Sequence, residues 1–237
     1  DSLVTRDHLD TIAPDTPMVI WQAGGHKMTV NSVMLDLMDV NDDAPDPEGA
    51  QFGRFDDGRP DGNLSGAALL FGALGVIAPY NTYDRIVGSV ALANDWNAQG
   101  LTTLGVAGVA TPKDWGVFEE LAARDDFPLR TRHYLQWGAY VLWDQAGVAP
   151  GQGDEKSRII GWKISADGSN QAFTGLQREP YLNSDNLGLA YMSQKDIDTA
   201  VVEGTKRGGQ MAIHGNGNAA IDNIISSVQK ARDARSE

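Results

Sequence analysis

One stretch, residues 159–222, limits what this 237-residue chain can fold into more than any other. It opens with IIGWKISADGS and closes with QMAIHGNGNAAID, and both ends read as short buried strands followed by Gly-rich or polar turn residues. Ile159, Ile160, Trp162 and Ile164 carry the first strand; Met211, Ala212 and Ile213 carry the second. Between them, SQKDIDTAVVEGTKRGG places Ser193 three residues before Asp196, a capping-box-like start. Ile197, Ala200 and Val201 follow at helical spacing, and Gly208-Gly209 is the stop. Strand, helix and strand in that order make a βαβ unit, with parallel strands and a right-handed crossover. Lys163 and His214 then sit near the same edge of one sheet, and the carboxyl edge of parallel strands is where such folds bind ligands.

The rest of the chain reads around that unit. Residues 5–12 form a short helix ended by Pro14, and 17–22 form a strand. A Gly-Gly-His turn leads into a helix carrying Val33, Leu35 and Met38, with Asn31 or Ser32 as its N-cap. Residues 41–63 are rich in Asp, Gly and Pro, and FGRFDDGRPDGNL predicts a hairpin with Asp57-Gly58 as one turn and Asp61-Gly62 as a second. Such a piece reads as an excursion from the main fold.

From Tyr83 the α/β rhythm is regular. Helices carry Ile86, Val90 and Leu92, then Val117, Phe118 and Leu121, and later Ile221, Ile224, Ile225 and Val228; strands run over 101–109 and 129–137. An apolar helix, AYVLWDQAG, follows the second of these strands. Four α/β repeats, with strands near 101, 130, 160 and 211, are half of a (β/α)₈ barrel; an open four-stranded α/β sheet is the alternative.

Composition removes several function classes. A formal charge of -13 argues against nucleic-acid and anionic-membrane partners, because phosphate binding needs clustered Lys and Arg. With no Cys there is no disulfide framework, no thiolate nucleophile and no Cys-ligated zinc. Any metal must be held by His, carboxylate or modified Lys. No apolar run is long enough for a membrane-spanning helix, and no basic, apolar leader is visible, so a soluble chain, cytoplasmic or periplasmic, is expected. The absence of an initiating Met points to a processed or excised piece.

The pieces DHLDTIAPDTPMVI, GGHKMTVNSVML, FGRFDDGRPDGNL, GLTTLGVAGV, GWKISADGS, REPY and HGNGNAAID span nearly the whole chain. In this order they resemble the amidohydrolase superfamily, specifically the amidohydrolase-3 group of N-substituted formamide deformylase-like metal-dependent hydrolases. The resemblance implies a partial (β/α)₈ TIM barrel, about strands 2–5, with a small β-containing insert near the N-terminus. Residues 1–80 would be the insert subdomain and 81–237 the half-barrel.

By the same resemblance Lys163 looks like the strand-4 lysine that is carboxylated to bridge two metals, and His214 like the strand-5 ligand. Both would then be catalytic and metal-binding, with one or two divalent ions, zinc first among them. A lysine buried at a strand end is kept neutral by desolvation, and a neutral amine adds carbon dioxide. Neutral imidazole is the commonest partner ligand. Two such metals would lower the pKa of a bridging water and polarise an amide carbonyl.

Three further residues are candidates for substrate binding. His26 could reach a substrate from the insert. Asp167, four residues after Lys163, makes either an Asx turn with Gly168 or a substrate contact. Tyr181 lies in the long 170–193 loop, where it would line the pocket. His133 reads as structural and His8 as surface.

The departures from the family pattern are as informative. There is no His-x-His among the four histidines, and the strand-6 His and strand-8 Asp do not appear. Gly217 is followed by Asn218 where the family has Asp, a change a helix cap tolerates. These residues therefore look like the middle of a larger enzyme that hydrolyses a C–N bond in an amide-like small molecule. The alternative is a catalytically silent fragment or binding module of an amidohydrolase-like barrel; a glycosidase pair of Asp167 and Glu179 is a weaker third reading. An incomplete barrel leaves open edges, so self-association or the missing segments of the same barrel are expected as partners.

Overall fold

Asn31 shows how the N-terminal part of the chain is tied together. Its side-chain oxygen accepts from the amides of Met34 at 3.1 Å and Met18 at 2.9 Å, and its amide nitrogen donates to the carbonyls of Ala13 and Thr16, both at 2.8 Å. One buried residue thereby caps a helix and fixes the ends of two neighbouring segments. The computed structural model describes residues 4–77 and 82–234. The chain divides into two compact units, the first comprising Asp1–Pro79, Ser165–Ser193 and Gly215–Asp222, the second Tyr80–Ile164, Gln194–His214 and Asn223–Glu237. The boundary expected at residue 80 lies outside the described residues.

The first unit contains α1 (Arg6–Ile12), β1 (Val19–Trp21), β2 (Lys27–Val30), α2 (Ser32–Leu37), β3 (Gln51–Arg54), β4 (Pro60–Ser65) and α3 (Ala67–Ile77). The strands form an antiparallel sheet in the order β1-β2-β4-β3. Alternation along β2 and β4 sends Met28, Val30 and Leu64 to one face, where they pack with Met34, Leu35, Phe52, Leu69, Leu70 and Ala73. Each large side chain buried there contributes about 1.5–3 kcal/mol.

One expectation is corrected in this unit. Asp57-Gly58 does turn the hairpin, with the Phe55 amide donating to the Arg59 carbonyl. Asp61-Gly62, however, lies inside β4. There Gly62 has φ 93°, and a Cβ would run into the carbonyl oxygen of Val30. Asp61 accepts from the Asn63 amide within the strand, and the β3–β4 register shifts between Phe52 and Arg54. The Gly therefore supports a local irregularity in a strand, not a second turn. The hairpin supplies two of the four strands of this sheet, which is separate from the parallel one, and Phe52 and Leu64 of the core of this unit.

The second unit carries α4 (Thr82–Ala98), β5 (Thr103–Val109), α5 (Pro112–Ala122), β6 (Arg130–Gln136), α6 (Tyr140–Ala146), β7 (Ser157–Ser165), α7 (Gln194–Lys206), β8 (Gln210–His214) and α8 (Asn218–Asp233). The last residue of β7 and the first turn of α8 belong to the first unit. Its sheet runs β5-β6-β7-β8, with β5, β6 and β7 parallel. Neighbours in space are therefore neighbours in sequence, the succession of a βα barrel and not the reversing order of a doubly wound sheet. Thr111 caps α5 by accepting from the Asp114 amide, and Pro112 follows in the first turn, where its missing N–H costs nothing. Ile86, Ala93, Val117, Leu121, Phe127 and Leu129 form a buried cluster in this unit. Gly161 of β7 lies against Gln210, whose carbonyl oxygen a Cβ would strike, so only glycine lets the strands approach this closely.

Candidate functional site at the ends of β7 and β8

Lys163 is the third residue from the end of β7, in register with Gln136 at the end of β6. Trp162 and Ile164 on either side of it are buried, so alternation turns Lys163 to the other face, where it is half-buried. Its Nζ donates to the Ile164 carbonyl at 2.7 Å. Burial pushes the ammonium down to about 8. His214 is the last residue of β8, also half-buried, and β8 is hydrogen-bonded next to β7. The two residues therefore lie at or near the ends of adjacent strands.

A lysine with an accessible neutral form and an imidazole are suitable donor chemistry for a divalent ion. Among the described residues no three His, Cys, Asp or Glu side chains group closely enough to hold a metal.

In the first unit, Asp167 is fully buried and its carboxylate accepts from three backbone amides: Leu176 at 2.8 Å, Asn216 at 2.9 Å and Gly217 at 2.7 Å. Asn216 returns a bond from its side-chain amide to the Gly168 carbonyl at 2.8 Å. Gly217 packs so closely on the Leu176 backbone that a Cβ would not fit. The segment after β7 and the turn after β8 are thus locked together. The oxygens of Asp167 are occupied by backbone donors, whereas Glu179 is exposed, an arrangement that gives no support to a glycosidase pair. Asn218 lies within the first turn of α8 and accepts from the Arg178 amide at 2.7 Å, so it serves this junction and does not cap its own helix. Arg178 in turn forks onto both oxygens of Asp222 at 2.6 Å.

His26 lies in the first unit, with Nδ1 3.3 Å from the hydroxyl of Tyr191. Burial raises the pKa of Tyr191. Tyr181 donates to the Gly175 carbonyl at 2.8 Å and stands edge-on to Phe173, with ring centres 5.2 Å apart. His133, in the second unit, is fully buried between Trp115 and Phe118, with ring centres 4.8 and 4.6 Å away. Its Nε2 meets the hydroxyls of Thr131 and Ser157, and burial, reinforced by Arg132, pushes its pKa down to about 4. The grip of Asp167 on residues 216 and 217 and the contact of Tyr191 with His26 had no sequence signal, since both join residues far apart in the chain.

The sequence profile of the amidohydrolase family matches residues 1–236. N-substituted formamide deformylase of Arthrobacter pascens is 29% identical over 247 residues, which cover 96% of this chain and 43% of that protein. A Bacillus subtilis protein named as an amidohydrolase, YtcJ, is 24% identical over 234 residues, with the same two coverages. The chain thus spans less than half the length of the relatives it matches. Crystal structures of metal-dependent hydrolases from Pyrococcus furiosus and Pyrococcus horikoshii share the fold, with TM-scores of 0.64 and 0.66 at 21% and 20% identity. They cover 97% and 96% of this chain, and 46% and 44% of theirs is covered in return. With a match over almost every residue, this chain belongs to the amidohydrolase family.

Proposed function

We propose that the protein containing this chain hydrolyses a C–N bond in an amide-like small molecule, using one or two divalent ions, zinc first among them, held in part by Lys163 and His214. The observation that carries this reading is a half-buried lysine of depressed pKa near the end of β7, beside a strand that ends in histidine. Lys163, carboxylated, supplies an oxygen donor; His214 supplies a nitrogen donor; Asp167 fixes the turn that follows His214. A bound ion would polarise the amide carbonyl and lower the pKa of water. The remaining donors and the rest of the (β/α)₈ barrel come from the part of the protein outside these residues. The A. pascens relative by its name acts on N-substituted formamides, which makes them the first substrates to try.

The test is amine release from N-substituted formamides and acetamides by the full-length protein. Turnover should disappear after exhaustive chelation and return with zinc. Turnover that survives chelation would refute metal-dependent chemistry. A second reading, a catalytically silent binding module, is favoured by the lack, among the described residues, of any three His, Cys, Asp or Glu side chains placed to hold a metal. It predicts no turnover and no bound metal even in the full-length protein.

A further inference from the structure

The face of the antiparallel sheet that points away from its core forms the floor of an open cleft of about 780 Å³ in the first unit. On this floor Lys27 of β2 stands opposite Ser65 of β4, which stands opposite Gln51 of β3, with Asn63 in the next row. The facing wall comes from the loop after β7, through Phe173, Leu182 and Leu189.

Lys27 is half-buried and makes no side-chain hydrogen bond or ion pair with the described residues. The other lining cation, Arg54, is engaged by Asp46 at 3.0 Å and by the carbonyls of Ala44 and Gly58. Asp185 is the single carboxylate of the lining and does not pair with Lys27. In a chain with 32 acidic and 19 basic residues, this cleft reverses the balance of charge. Phe173 in the wall has φ of 55°, one of three non-glycine residues with positive φ among those described. A bulky side chain in that region costs about 1–3 kcal/mol and such strain concentrates at binding sites. Yet Phe173 is 59% and Leu182 90% exposed, so the strained loop holds apolar side chains out over a lone ammonium.

From these features we infer that the cleft is a binding site for a small amphipathic carboxylic acid. The Lys27 ammonium receives the carboxylate, and Phe173, Leu182 and Leu189 cover the apolar body. One point charge without an Arg fork or a nest of amides suits a monoanion better than a phosphate. This site does not depend on the metal assignment of Lys163 and His214.

Calorimetric titration of the full-length protein with phenylbutyrate, and with phenylbutanol as its uncharged counterpart, tests the inference. A charged hydrogen bond should make the acid bind about 10-fold or more tighter than the alcohol. Lys27→Met should abolish that preference and Lys27→Arg should keep it. Leu182→Ser, at a side chain too exposed to matter for folding, should weaken both ligands. Should Lys27→Met fail to fold, the acid–alcohol comparison on the unaltered protein and the Leu182→Ser titration still decide. Equal affinity for acid and alcohol, undiminished acid binding in folded Lys27→Met, unchanged affinities in Leu182→Ser, or no binding of either probe at millimolar concentration would overturn it.

Discussion

At His133 a single imidazole links folding to pH. Burial holds its folded pKa at about 4, below the ordinary 6.5, so the unfolded chain binds more protons between those values. Its stabilising effect is therefore full above about pH 6.5 and is lost as pH falls toward 4. Urea unfolding should show a loss of roughly 2 kcal/mol from this residue between pH 7 and 5, and His133→Leu should flatten the pH dependence by that amount. An unchanged slope in the variant would remove the linkage. At Asp167, replacement by Asn leaves one oxygen for three amide donors, and a loss of roughly 2–3 kcal/mol is expected in the same assay. Lys163 was legible as a candidate through the family resemblance, and His214 also through its place at the end of a short apolar run. The partners of Asp167 were not, because they are backbone groups 9, 49 and 50 positions away, and a backbone amide has no residue-type signature.

Among the elements, the βα succession was readable because amphipathic helices and short apolar strands alternate at regular intervals. Helix α3 escaped because AALLFGALGVI is apolar on every side and shows no period. The Asp61-Gly62 pair misled because the same dipeptide suits a turn and a strand irregularity; the neighbouring Val30 carbonyl decides between them. The close contact of β7 and β8 gives a direct comparison of two glycines. Gly161→Ala should lose more than about 2 kcal/mol, since its Cβ meets the Gln210 backbone, whereas Gly105→Ala in β5, with open space around it, should stay within about 0.5 kcal/mol. Equal denaturation midpoints for the two variants would show that the strands are not held this tightly.

For the whole molecule, the second sheet ends in two outer strands, β5 and β8. Helix α8 leaves Ile221, Ile225 and Val228 exposed at spacings of one turn. Unpaired strand edges and apolar stripes draw in further chain, and the family relatives are more than twice as long. The 237-residue chain on its own is expected to self-associate with rising concentration in sedimentation experiments, unless the rest of the protein accompanies it. A compact monomer at all concentrations would count against this expectation. The metal-binding role proposed for Lys163 and His214 is tested most directly by metal analysis of the full-length protein. Lys163→Ala and His214→Ala, each folded, should both lose bound metal relative to the unaltered protein; full metal content in both would contradict the assignment.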